Sequence, residues 1–287
     1  MSEAVLLNHQ RLSGRTMLSG FLTALTGGAT ILALAPLLSV AWLLVQKGAP
    51  QLSLSLFTQT TPPPLAEAGG IGNAIVGTGV MVGLASLIAV PIGLLAAIYL
   101  SEFGGGGQVA NAVRFSARVL SGLPSIIAGV FAYALVVMAA KRFTPIAGGV
   151  ALSLLMIPIV TLTGEQALRA VPNKLRDAAL GLGATPTQTV WFVVLPTAFS
   201  SLATGVLLAV ARAAGETAPL LFTALFSLNW LRGVWEPAPS LAVMIYQFSS
   251  SPYANQIELA WAGSLVLVGL VLILNIAGRL LARQPAH

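Results

Sequence analysis

Six runs of mostly apolar residues, each about as long as a helix needs to cross a bilayer, limit what this chain can fold into. They cover residues 17–45, 71–100, 119–140, 143–164, 197–222 and 259–280. A hydrocarbon core of about 30 Å takes roughly 20 apolar helical residues to cross, because each backbone N–H and C=O must be satisfied within the segment. The second run is long enough to include an interfacial or strongly tilted piece. Composition agrees: 56% of the 287 residues are hydrophobic and 8% charged, against roughly 25% charged in ordinary soluble domains. Such a chain cannot coat its own surface for water. The expected fold is an all-α polytopic membrane protein with six transmembrane helices. The first run follows Arg11 and Arg15, as the core of a signal peptide would, but it is too long for one. Its Ala33-x-Ala35 site is also followed by Pro36, so it is expected as a retained span.

The net charge of +6 does not mark a nucleic-acid surface, since the basic residues stand singly or in pairs between apolar runs. They instead suit loops held against anionic lipid. With the N-terminus inside, Arg11, Arg15, Arg114, Arg118, Arg169, Lys174, Arg176, Arg279 and Arg283 fall on the cytoplasmic side. Lys47, Lys141, Arg142 and Arg232 fall on the other. Nine against four favours both termini in the cytoplasm. The Pro-rich stretch 61–64 and the loop 227–257, with Trp230 and Trp235, then lie outside. This divides the chain into a cytoplasmic segment 1–16, a six-span domain 17–283 with a cytoplasmic loop at about 165–196, and a tail 284–287. There is no cysteine, and the two histidines, His9 and His287, are terminal, so no metal site is expected.

The loop at 165–196 reads as two short helices. Val171-Pro172-Asn173 opens the first, and Leu175, Ala178, Ala179 and Leu182 form an apolar face at three- and four-residue spacing. Gly181 and Gly183 supply its C-terminal cap. Thr185, Pro186 and Gln188 form a capping box that opens the second, and Pro196 is expected to turn the chain into the fifth span. Local rules fit both a docking elbow for a partner and an amphipathic hairpin resting on lipid. The spacing Asp177-Ala178-Ala179, three residues, Gly183, nine residues, Val193, one residue, Leu195-Pro196 resembles the EAA motif of ABC importer permeases, with Asp for Glu and Val for Ile. The resemblance implies the type I ABC importer permease fold. It also implies that this loop enters a cleft of a separate ATPase subunit and transmits its power stroke.

Arg212 and Glu216 stand within the fifth apolar run, four residues apart and so on one helix face. Ionised groups there must face protein or water. Two readings fit: an ion pair that fixes helix packing, or a charged lining of a substrate route, where arginine suits phosphate oxygens. The surrounding Ala211-Arg212-Ala213-Ala214-Gly215-Glu216-Thr217-Ala218-Pro219-Leu220 resembles a stretch of phosphate-specific ABC permeases of the PstA type. So do Gly69-Gly70-Ile71 with Ala74–Thr78, Ala97–Glu102, and Gly122-Leu123-Pro124-Ser125-Ile126.

That resemblance implies a substrate pathway holding Arg212, Glu216, Thr217 and Glu165, in a multi-pass protein of the bacterial inner membrane. It also implies a PstC-type second permease, two copies of an ATPase and an extracytoplasmic phosphate-binding protein. One departure concerns Leu162, which stands where such permeases often carry arginine in Pro158-x3-x-x2-Glu165. Sulfate, molybdate or phosphonate therefore stay open as cargo. No Gly-x4-Gly-Lys-Ser/Thr occurs, so ATP and Mg are expected on the partner and no cofactor on this chain. No hydrolase motif occurs either, which leaves an ATP-independent carrier as the remaining rival.

Overall fold

The computed structural model describes residues 14–66 and 69–282. The expected N-terminal segment as far as residue 13, with Arg11, and the expected tail, with Arg283 just before it, lie outside the described residues. Among the described residues every regular element is a helix. Among these residues five helices are long and apolar enough to cross a membrane, and a bent pair supplies a sixth if it counts as one span.

The chain divides into two compact units after Gln46. The first unit is α1 (Gly14–Gly48) as far as Gln46. Large side chains on all its sides are exposed, among them Phe21, Ile31, Leu32 and Trp42. A helix apolar all round has no face for water.

In the second unit a 3-10 turn at Ala49–Gln51 and a short helix at Leu54–Thr58 precede α2 (Gly72–Ile98), which is prolonged by a π turn at Tyr99–Phe103. The unit continues with α3 (Gln108–Ser121), α4 (Ser125–Ala140), α5 (Pro145–Arg169) and α6 (Asn173–Gly181). Then come α7 (Pro186–Ala214), α8 (Ala218–Thr223), α9 (Leu241–Ser249) and α10 (Ala254–Ala282).

Helices α2 and α5 run side by side in the same direction: Met81 lies beside Gly148, Val160 beside Gly93, and Ala97 beside Gly164. A Cβ on Gly93 would stand 2.7 Å from the Val160 Cβ, so glycine is what lets these backbones approach. Helix α7 runs the opposite way, with Leu202 beside Gly164 and Leu220, past its end, beside Gly148. Met81, Ala85, Leu152, Met156, Val160, Ala209 and Ala213 fill the centre. One end is packed by Ala97, Leu168, Val171, Val194, Ala198 and Leu202. The other is packed by Leu56, Ile71, Leu241, Met244, Phe248 and Leu259. We call the first the inner end and the second the outer end, after the lysine and arginine bias. At the outer end the fully buried Asn73 accepts from the Thr61 N–H at 3.0 Å and donates to the Thr61 hydroxyl and the Leu228 carbonyl.

Three expectations shift. The run 119–140 is not one helix: α3 ends at Ser121, and α4 leaves at 103° after Gly122-Leu123-Pro124. Pro124 disfavours helical backbone at Leu123, so residues 119–121 end a helix that crosses the span's direction. The fifth span starts at Pro186 rather than 197 and ends at Ala214. Pro196 does not turn the chain. The π turn Val190–Val194 just before it widens the helix and takes up the missing N–H and the ring. Lastly, the loop 227–257 contains α9, whose Leu241, Val243, Met244 and Phe248 are buried and whose N-terminus is capped by Ser240.

Candidate functional site

Helix α6 begins after Pro172 and is closed by Gly183, whose φ of +87° lies in the left-handed region that favours glycine. The following Ala184 N–H donates to the Ala179 carbonyl, which completes the cap. The capping box is present: the Gln188 N–H donates to the Thr185 hydroxyl, and the Thr185 N–H to the Gln188 side chain at 2.9 Å. The elbow's residues divide in two. Ala179 is buried against the protein, while Asp177 and Ala178 are exposed and Leu182 is 91% exposed. Beyond the elbow Leu195 is half-buried and Pro196 exposed. Between Asp177 and Leu182 the loop is therefore packed by the small side chain of Ala179 and presents Ala178 and Leu182 outward.

Arg176, the residue before Asp177, fixes the elbow to the bundle. Its Nε and one Nη donate to the two oxygens of Glu102 at 3.0 and 2.8 Å. The same Nη donates to the Leu168 carbonyl at 2.8 Å, and the other donates to the Val171 carbonyl at 2.6 Å and to Asn173. All five N–H groups of the guanidinium are engaged. Glu102 accepts additionally from the Ser101 hydroxyl. Hydrogen bonding to Glu102 holds the Arg176 pKa above its ordinary value, against the opposing effect of burial, so the side chain stays charged.

A second arginine repeats the pattern one turn away in the fold. Arg114 of α3 donates from Nε to Glu165 at 2.7 Å and from an Nη to the Leu100 carbonyl at 2.9 Å. Glu165 also pairs with Arg169 at 2.9 Å on its own helix. Its side chain is only 8% exposed. The structure thus places Glu165 in an ion cluster at the inner end and does not bring it to Arg212. Leu202 lies level with Gly164, and the ten residues from Leu202 to Arg212 rise roughly 15 Å along α7.

Arg212 sits in the last turn of α7, whose helix breaks at Gly215. Glu216 follows, and Thr217 opens α8, accepting from the Leu220 N–H. The pair is loose, with Nε 3.5 Å from the carboxylate. The Arg212 side chain is 62% exposed and that of Glu216 16%, while Ala211, Ala213 and Ala214 around them are buried. Arg212, Glu216 and Thr217 are therefore brought together at a helix break, with the guanidinium turned out of the packed unit. This arrangement can offer free N–H donors to an anion while a carboxylate stands ready to take the arginine back. Leu162 is half-buried on α5.

Sequence reasoning placed Glu102 only inside a family-like stretch, and Arg114 and Arg176 only in a charge count. The legible signal was a carboxylate at the end of a span, which needs a partner wherever it is buried. No spacing rule pairs residues 74 positions apart, as Arg176 and Glu102 are.

Comparison with known proteins agrees with this architecture. Residues 89–286 match the family model described as binding-protein-dependent transport system inner membrane component. The chain is 43% identical over 249 residues to the phosphate transport system permease protein PstA of Yersinia pestis, covering 86% of this chain and 84% of that one. It is 46% identical over 243 residues to the protein of the same name from Haemophilus influenzae, covering 84% and 85%.

Among solved structures, a chain of a bacterial alginate ABC transporter in complex with its alginate-bound periplasmic protein aligns with a TM-score of 0.66. The two are 14% identical, and the alignment covers 95% of this chain and 98% of that one. A chain of the MetNI methionine ABC transporter in an inward-facing conformation aligns with a TM-score of 0.56 at 22% identity, covering 75% and 93%. These two likenesses concern the fold alone. Together, the family match and the extent of identity make this chain a member of the binding-protein-dependent transport system inner membrane components, the permease subunits of ABC importers.

Proposed function

We propose that this chain is the permease subunit of an ATP-driven importer of inorganic phosphate, with Arg212, Glu216 and Thr217 on the anion's route. The observation that carries the reading is the exposed guanidinium of Arg212, loosely paired at a helix break in an otherwise apolar span. Arginine presents planar, bidentate donors to phosphate oxygens. The nearby carboxylate offsets its charge, so the anion is recognised and then released. Relatives named as phosphate permeases give the substrate its first candidate.

In this reading the inner end, with Arg114, Arg118, Arg169, Lys174, Arg176 and Arg279, faces the cytoplasm, as do both termini. Asp177, Ala178, Ala179, Gly183, Leu195 and Pro196 form the coupling loop, with Leu182 as its exposed apolar tip. A separate ATPase dimer binds ATP and Mg and receives the loop. A PstC-type permease completes the pathway, and a phosphate-binding protein delivers cargo at the outer end. Transport proceeds by alternating access.

The test is labelled-phosphate uptake by proteoliposomes holding the whole complex. Arg212→Gln is expected to lower uptake by about tenfold to a hundredfold, the worth of one hydrogen bond to a charged group, with normal protein level. Uptake at the unaltered rate would remove Arg212 from the route. Leu162 supports a second reading, a related oxyanion. Movement of sulfate, molybdate or phosphonate in place of phosphate would select it. Uptake by this chain alone, driven by an ion gradient, would select a secondary carrier.

A further inference from the structure

The two arginines of the inner end are cross-wired. Arg176 takes a carboxylate from the end of α2, Glu102, and a carbonyl from the end of α5, Leu168. Arg114 takes a carboxylate from the end of α5, Glu165, and a carbonyl from the end of α2, Leu100. Each guanidinium therefore grips both helices at once, and α2 and α5 are the parallel pair at the centre of the packed unit. Their geometries match, but their carriers do not. Arg114 belongs to α3, which joins α2 to α4. Arg176 belongs to α6, the short helix that also carries Asp177, Ala178 and Ala179.

We propose that Arg176 and Glu102 form the strut through which movement of the coupling loop reaches α2 and α5. Arg176 is a positioning residue in this scheme: it touches neither anion nor nucleotide. The inference rests on the proposed role of the loop as the ATPase contact. Three features suit the pair to carry force. The contact is bidentate, so it resists rotation as well as separation. Both side chains are largely buried, at 17% and 9% exposure, so water competes less for their hydrogen bonds than at the surface. The Leu168 and Val171 carbonyls, at and just past the C-terminus of α5, hold the same guanidinium, so α6 cannot move without pulling the ends of both spans.

Between the strut and the exposed loop tip the only other anchored coupling residue is Ala179, which supplies packing without direction. Without the strut the ATPase can still bind the loop and cycle, but the loop slips against the spans.

The experiment uses the complete complex in proteoliposomes with the binding protein added, and measures phosphate moved per ATP hydrolysed. Arg176→Gln and Glu102→Gln are each expected to lower that ratio by about tenfold, the scale of one charge-assisted bidentate contact, while ATP hydrolysis stays within about twofold. The double variant is expected to be no worse than either single one, because both remove the same contact. Arg176→Lys keeps the charge without the planar fork and is expected to give an intermediate ratio.

An unaltered ratio in Arg176→Gln and Glu102→Gln would overturn the strut. So would loss of assembled complex in every variant including Arg176→Lys, which would assign the contact to assembly alone. Failure of the unaltered complex to move phosphate with ATP would instead overturn the proposed function.

Discussion

The inner end and the break of α7 use the same residue types to opposite ends. At the inner end Arg114 and Arg176 are 13% and 17% exposed, and each is held by a carboxylate and by main-chain carbonyls. At the break Arg212 is 62% exposed and has one carboxylate at 3.5 Å. A guanidinium whose donors are all taken can orient helices but cannot greet an anion. One with most of its donors free can do the reverse. Exposure and hydrogen-bond occupancy, rather than the presence of an Arg–Glu pair, separate the charges that hold helices together from the one proposed to meet the anion.

Removing one partner from the inner cluster should give the largest effect on stability. Arg114→Ala leaves Glu165 buried with only Arg169, itself 54% exposed, and is expected to cost about 2–3 kcal/mol, less than a buried charge left with no partner. A drop in the melting temperature of the purified complex checks this. A melting temperature equal to that of the unaltered complex would erase the contrast between the two regions.

Glu216→Gln makes the opposite test. The pair is loose, its arginine is exposed and glutamine keeps the shape of the side chain, so stability should change by less than about 1 kcal/mol. Freed of its counter-charge, Arg212 should hold the anion longer, and uptake should fall several-fold at saturating phosphate with tighter half-saturation. A stability loss as large as that of Arg114→Ala would make the Arg212–Glu216 pair structural instead.

Smallest is Thr185→Ala, which removes the capping box of the elbow and should cost about 1 kcal/mol locally. Uptake should stay within about twofold, since the proposed strut runs through the Arg176 contact and not through this cap. A larger fall would show that the second helix of the elbow shares in that task.

Local chemistry was legible wherever neighbours in sequence settle it. The capping box at Thr185 and Gln188, the left-handed Gly183 and the six apolar runs all depend on residues within a few positions of one another. Span boundaries were less legible. A proline after a π turn leaves no pattern that distinguishes it from a proline at a chain reversal, so Pro196 was misread. Gly122-Leu123-Pro124 lies inside an apolar run, and hydropathy alone does not register the turn that Pro124 imposes.

By itself the sequence determined the solvent this protein folds in, its helical class and the elbow between 173 and 189, but not the single helix face expected for Arg212 and Glu216, because the helix ends at Ala214, ahead of Glu216. Those follow from composition and from periodicities a few residues long. Only the tertiary structure decided which charges are satisfied. It paired Arg176 with Glu102 across 74 positions and Arg114 with Glu165 across 51, and it left Arg212 turned outward. A buried carboxylate demands a partner, but which arginine answers depends on how α2 and α5 pack, and that packing is set by small residues at their seam, Gly93 against Val160 and Gly164 against Ala97.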